Sequence, residues 1–204
     1  MAGSAVRVVK VGGSLFDAPQ LDQRLARWLR RQTSATNIFI AGGGKLADSI
    51  RQFDQLHAIG EEPSHWLCVR ALSVTARILI DVLPEAALVD SLEEVRELIA
   101  TRPSRICVFD PMPMLTGEQS QRGATPLPHS WEVTSESIAA HLAERSGPPE
   151  LALLNPNLPD PSTIQQASEA HFVVPYFPTA AAKLPLVRCV NLRSEAFEEV
   201  AMEM

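Results

Sequence analysis

Short apolar runs along this chain alternate with stretches whose apolar residues recur at helical spacing. The first run, Val6 to Val11, ends at Gly12-Gly13-Ser14 and predicts a strand. Leu21, Leu25, Trp28 and Leu29 then share one helical stripe, and Arg24, Arg27, Arg30 and Arg31 lie largely off it. A second run, Ile38-Phe39-Ile40-Ala41, stops at Gly42-Gly43-Gly44, and Leu46, Ile50 and Phe53 open another helix at once. A long helical pattern extends from Ser64 to Leu83. Ala87-Leu88-Val89 reads as a short strand, and Ser91 with Glu94 forms a capping box ahead of Val95, Leu98 and Ile99. Ile106-Cys107-Val108-Phe109 predicts the next strand, closed by Asp110-Pro111.

Residues 111–131 carry Pro111, Pro113, Pro126 and Pro128 among polar positions, which predicts a long loop. Helical spacing resumes at Ser135, with Ile138, Leu142 and Ala143 on one face. Leu151 to Leu154 predicts a strand, and Asn155-Pro-Asn-Leu-Pro-Asp-Pro161 breaks the chain after it. Ser162 to Ala170 reads as helix, Phe172 to Val174 as extended, Val187 to Val190 as a strand and Glu195 to Met202 as a short terminal helix. Apolar strands without polar alternation belong to a sheet covered on both faces. The expected fold is therefore a three-layer α/β/α sandwich with a mostly parallel central sheet, residues 1–204 forming one domain. Ligands of such sheets bind at the carboxyl ends of the strands, where the glycine turns, the proline-rich loop and the Asn155 break all fall.

Composition narrows the function classes. Of 204 residues 46% are hydrophobic and 21% charged, enough apolar surface to offset the entropy of ordering. Eighteen basic against 24 acidic residues give a net charge of −6, with no basic run that would mark a nucleic-acid partner. An anionic ligand would need a locally positive pocket. The three lysines are Lys10, Lys45 and Lys183; all other positive side chains are Arg. Cys68, Cys107 and Cys189 stand apart among apolar residues, as expected of reduced core thiols in a cytoplasmic protein. The five histidines show no metal-ligand spacing, so no protein metal site is expected. The N-terminal stretch lacks a signal-peptide core, and no apolar run approaches the ~18 residues of a membrane span. No membrane partner is expected.

Two glycine clusters each follow a strand. Gly12 and Gly13 let a backbone approach a ligand closely; Gly42, Gly43 and Gly44 open a helix whose free N–H groups favour an anion. Tight turns alone would also explain them. Lys10, two residues before Gly12, reaches over the strand end toward a phosphate, unless it is a solvent-facing edge lysine. Thr134, Ser135, Glu136 and Ser137 sit at a helix start. They serve as caps there, or Glu136 holds a lysine or a metal beside a phosphate.

Val-Val-Lys10-Val-Gly-Gly-Ser14-Leu, Ile-Ala-Gly-Gly-Gly44 and Ser-Trp-Glu-Val-Thr-Ser-Glu-Ser137-Ile-Ala-Ala, in this order, resemble the amino acid kinase superfamily. Pro-x-Ser-Trp-x-Val-Thr-Ser at Pro128 to Ser135 is similar to the aminomethylfuran phosphate kinase branch, which serves methanofuran and tetrahydromethanopterin-linked one-carbon pathways. The resemblance implies phosphoryl transfer from ATP with Mg2+ to a small anionic acceptor, and a homo-oligomer. Lys10 would contact the transferring phosphate and Glu136 would orient it. Gly12, Gly13, Ser14 and Asn155 would fall on the nucleotide-phosphate side, and Gly42, Gly43, Gly44, Thr134 and Ser135 on the acceptor side. A loose phosphoryl-transfer transition state needs positioning and positive charge more than covalent help.

The chain departs from the family pattern in three places. Glu136 stands where the family has Asp. The Asn155–Pro161 stretch, without glycine, replaces the turn that grips the nucleotide. Lys183 is the one late lysine, and its neighbours match no motif. These departures keep a second reading open, a degenerate homologue that binds a ligand or assembles with another protein without ATP-dependent catalysis.

Overall fold

A seven-stranded sheet, ordered β3-β4-β2-β1-β5-β6-β7, runs through the computed structural model, which describes residues 5–101, 104–119, 125–147, 150–160 and 163–203. Its strands are β1 (Val6–Val11), β2 (Thr36–Ala41), β3 (Ala87–Val89), β4 (Ile106–Phe109), β5 (Glu150–Asn155), β6 (Val187–Asn191) and β7 (Glu199–Met202). The first six are parallel; β7 returns antiparallel against β6. The helices are α1 (Leu21–Arg31), α2 (Gly44–His57), α3 (Glu61–Val82), α4 (Leu92–Thr101), α5 (Pro111–Glu118), α6 (Ser135–Arg145), α7 (Ile164–Glu169) and α8 (Phe177–Ala181), with a 3-10 turn at Gly13–Asp17 after β1.

Alternate side chains of each strand point to opposite faces, and two separate cores result. Val8, Ile38, Ile40, Leu151 and Cys189 face one core, closed by α4 to α8. Val9, Val11, Phe39 and Leu154 face the other, closed by α1 through Leu21, Leu25 and Trp28. Helix α3 serves both, giving Val69 and Leu72 to the first core and Ala76 and Leu79 to the second. This is the expected three-layer architecture with a mostly parallel sheet. Strand β1 lies between β2 and β5, so its carboxyl end is the centre of the sheet's upper edge.

Three local expectations are corrected. The stretch after Asp110 begins with α5 and not with loop. Asp110 caps that helix by accepting from the Met112 N–H at 3.2 Å, and Pro111 and Pro113 occupy first-turn positions, where a missing N–H costs nothing. The remainder of the expected loop lies partly outside the described residues, as do Pro161 and Ser162. Phe172 to Val174 is not extended but wraps the end of α7. His171 adopts a φ of +57°, and the Phe172 N–H returns to the Ala167 carbonyl at 2.8 Å. The expected helix at Glu195–Met202 is instead a turn followed by β7. Asn191 Oδ1 accepts from the N–H groups of Arg193 and Ser194, Phe197 takes a φ of +53°, and the ladder along β6 captures the rest. Phe197 enters the second core, with the Arg31 guanidinium 4.7 Å above its ring.

No helix among the described residues is long and apolar enough to cross a membrane. Trp28 is fully buried. Trp28→Ala is expected to cost about 3–5 kcal/mol, read as a fall in unfolding temperature of about 10 °C; an unchanged temperature would place Trp28 outside the core.

Candidate active site

The carboxyl ends of β1 and β2 lead into the two glycine turns, which press directly on one another. A side chain on Gly13 would overlap the Gly44 backbone, and a Cβ on Gly42 would lie 2.5 Å from the Gly13 nitrogen. Gly44 also has a φ of +51°, a conformation that favours glycine. This contact brings the start of α2 beside the end of β1. The first turn of α2 begins at the same place.

Lys10 is 3% exposed, on the face of β1 covered by α6. Its ammonium donates to Glu136 Oε1 at 2.6 Å and more loosely to Asn155 Oδ1 at 3.4 Å. Glu136 is in the first turn of α6, and its second oxygen accepts from the Thr134 hydroxyl. Burial pushes the Glu136 carboxyl up, but the Lys10 ammonium and the hydrogen bonds from Lys10, Thr134 and its own backbone outweigh burial and hold it below the ordinary 4.5.

A cleft of about 340 Å³ opens over this pair. Of the expected site residues, Lys10, Gly13, Ser14, Gly43, Gly44, Thr134, Ser135 and Glu136 line it; Gly12, Gly42 and Asn155 do not. The Gly12 N–H is taken by the Leu154 carbonyl at 2.8 Å, and the Gly42 N–H by the Val11 carbonyl at 2.8 Å. Asn155 is turned toward Lys10. Lys183 is elsewhere, on an exposed pair with Glu144 at 2.5 Å.

Several lining residues escaped the sequence reading. Asp48 and Arg51 follow Gly44 at i+4 and i+7 on α2, and His65, Cys68, Val69 and Leu72 keep the same helical spacing on α3. Each set therefore shares one helix face, and that spacing was the available signal. Trp131 forms a wall of the cleft and is held from three sides. Its indole N–H donates to Asp54 at 3.1 Å, its backbone N–H donates to Glu61 at 3.0 Å, and the Arg51 guanidinium lies 5.4 Å from its ring centre. Arg51 also pairs with Asp48 at 2.9 Å. Among the described residues the cleft thus carries two cations, Lys10 and Arg51, against two carboxylates, Asp48 and Glu136. His65 reaches the Ser130 carbonyl at 3.3 Å, and burial lowers its pKa. Among the described residues no group of three acidic, His or Cys side chains is placed to hold a metal ion.

The fold is that of several solved kinases. UMP kinase from Ureaplasma parvum superposes with a TM-score of 0.67 at 9% identity, over 98% of this chain and 100% of that one. Uridylate kinase from Archaeoglobus fulgidus gives 0.59 at 19% identity, over 90% and 89%. Aspartate kinase from Synechocystis gives 0.58 at 16% identity, over 98% of this chain and 40% of that one. No family model matches the sequence, and no curated protein matches it. At these identities the likeness establishes the fold alone, the α/β sandwich shared with these three structures.

Two outcomes follow from this geometry. Gly13→Ala forces the two turns apart and is expected to lower the unfolding temperature by several degrees, on the order of 1–3 kcal/mol; an unchanged temperature would show that the turns are not in contact. Glu136→Gln leaves the Lys10 ammonium buried without its counter-ion, a loss of about 3–5 kcal/mol. Because the folded pKa of Glu136 lies below its unfolded value, its contribution is complete above pH 4.5 and is lost as the pH falls below that. In urea titrations across pH, the gap between wild type and Glu136→Gln should therefore be widest above pH 4.5 and close below it. A pH-independent gap would contradict the pairing.

Proposed function

We propose that this chain is a phosphotransferase that uses ATP and Mg2+ to phosphorylate a small anionic acceptor bound in the Lys10–Glu136 cleft. One observation carries the reading: a buried lysine at the end of the central strand, held by a carboxylate, in a cleft that opens where two glycine turns meet. The kinase fold of its structural neighbours supports it.

Lys10 would place positive charge on the transferring phosphoryl group, and Glu136, itself braced by Thr134, would hold the ammonium in place. The first turn of α2, from Gly44, together with Gly13 and Ser14 would supply N–H donors for phosphate oxygens. Trp131, Val69 and Leu72 would wall the acceptor and keep water from the reacting atoms. These donors fit a polyphosphate. When bound, ATP supplies the phosphoryl group, and Mg2+ offsets its negative charge. Magnesium ions in phosphotransfer sites are commonly carried on substrate phosphate oxygens with water completing the shell, and Mg2+ would reach this cleft in that way with the nucleotide.

The narrower reading makes the acceptor a phosphomonoester of one-carbon cofactor synthesis, as in the methanofuran branch; its support is that Trp131 of the Pro128–Ser135 motif walls the cleft. We place the protein in the cytoplasm, as one domain that assembles with further copies of itself. Leu46, Phe53 and Leu56 of α2 and Leu67, Val74 and Ile78 of α3 remain exposed and would lie in such an interface.

A second reading is a ligand-binding or hetero-complex subunit without ATP-dependent catalysis. The contacts of Gly12 and Asn155 favour it, because these residues answer to their neighbours and the cleft lining does not extend to residues 155–160.

Thermal unfolding with excess Mg-ATP separates the two. At ~100 times its Kd a ligand adds about 2.7 kcal/mol, or about 5–10 °C for a chain of this size. The kinase reading expects that shift in the wild type and its loss in Lys10→Met. No shift at millimolar nucleotide would leave the second reading.

A further inference from the structure

We infer that Asn155 is a positioning residue for Lys10 and that Gly12 is glycine to make room for it; the catalytic consequence rests on the phosphotransferase reading above. Strand register sets the arrangement. Lys10 pairs with Leu153 and Val11 with Leu154, which puts Asn155 one step past the end of β1, beside Gly12. Asn155 shares its sheet face with Leu151 and Leu153, the face on which Lys10 also lies.

An ammonium has three N–H donors in a tetrahedral arrangement. Glu136 takes one at 2.6 Å and Asn155 a second at 3.4 Å. Two fixed acceptors on different elements, α6 and β5, set the direction of the third donor, and Lys10 lines the cleft. With Glu136 alone the ammonium could swing about a single contact. Reacting groups tolerate only about 0.5 Å of misplacement, so the second acceptor matters. An amide oxygen suits this position because it accepts without charge. Aspartate there would put two carboxylates on one ammonium and leave the centre net negative, which opposes a phosphate.

Gly12 faces the Asn155 side chain. Its φ of −56° is open to any residue, so conformation does not demand glycine. Space does: a Cβ would lie 2.9 Å from Asn155 Oδ1 and 2.9 Å from the Leu154 carbonyl oxygen. The backbone carbonyl belongs to the sheet, and the Asn155 side chain is the part able to move. A methyl group at position 12 would therefore turn Asn155 away from Lys10.

The test has two readouts. The chain has three lysines, so protein labelled with 15N at lysine Nζ gives a simple spectrum, in which the Lys10 signal is the one absent from Lys10→Arg. Asn155→Leu and Gly12→Ala are both expected to move the Lys10 signal and to leave those of Lys45 and Lys183 in place. A Lys10 signal unmoved in both variants would overturn the inference, whether or not the protein is a kinase. In turnover assays with Mg-ATP, Asn155→Leu is expected to lower kcat about tenfold with KM for Mg-ATP changed less than about twofold. A raised KM at unchanged kcat would make Asn155 a nucleotide ligand and overturn the inference. Absence of turnover in the wild type would overturn the phosphotransferase reading alone, and the lysine spectra would still decide the role of Asn155.

Discussion

The upper edge of this molecule is organised by the ion pair between buried Lys10 and partly buried Glu136. A lysine 3% exposed on the central strand is costly unless its charge is met. Glu136 meets it from α6, an element 126 residues further along the chain, at 2.6 Å. The pair therefore ties the start of α6 to the end of β1 and fixes where the cleft opens. Thr134 adds a contact to the carboxylate and Asn155 a second acceptor to the ammonium, whose third N–H keeps a free direction.

The glycine turns impose the second constraint. Gly13, Gly42 and Gly44 approach more closely than any side chain would allow. The same contact that closes the two turns brings the start of α2 to the end of β1. Tight packing of the turns and the opening of the cleft beside them are thus one feature. Gly12 differs from its neighbours: its N–H is taken by the sheet, and its missing side chain leaves room for Asn155. Among the described residues the cleft's charges are paired, Asp48 with Arg51 and Glu136 with Lys10.

The strands and long helices were legible because their apolar spacing is strong and local. Lys10, the glycine clusters and Glu136 were legible as ordered motifs. The misread elements were those where a local signal had two meanings. Pro111 and Pro113 break a helix interior but start a helix well when Asp110 caps it. Helical spacing at 195–202 yielded to the unpaired edge of β6 and to the pocket that takes Phe197. The roles of Asp48, Arg51 and His65 were hidden because each lies on an ordinary amphipathic helix, and only the docking of α2 and α3 turns those faces to the cleft.

By itself, then, the sequence determined the layered α/β architecture, the strands that end in glycine turns and the placing of a lysine at a strand end and a carboxylate at a helix start. These follow from periodicity and residue type, which act over a few residues. Only the tertiary structure decided that Glu136 faces Lys10, that Asn155 turns toward the ammonium, that Lys183 stays away and that Trp131 walls the cleft. Each depends on the register of β1 against β5 and on the seating of α6 and of the α2–α3 pair. Contacts between residues more than a hundred positions apart are set by packing of the whole sheet, and no local pattern encodes them.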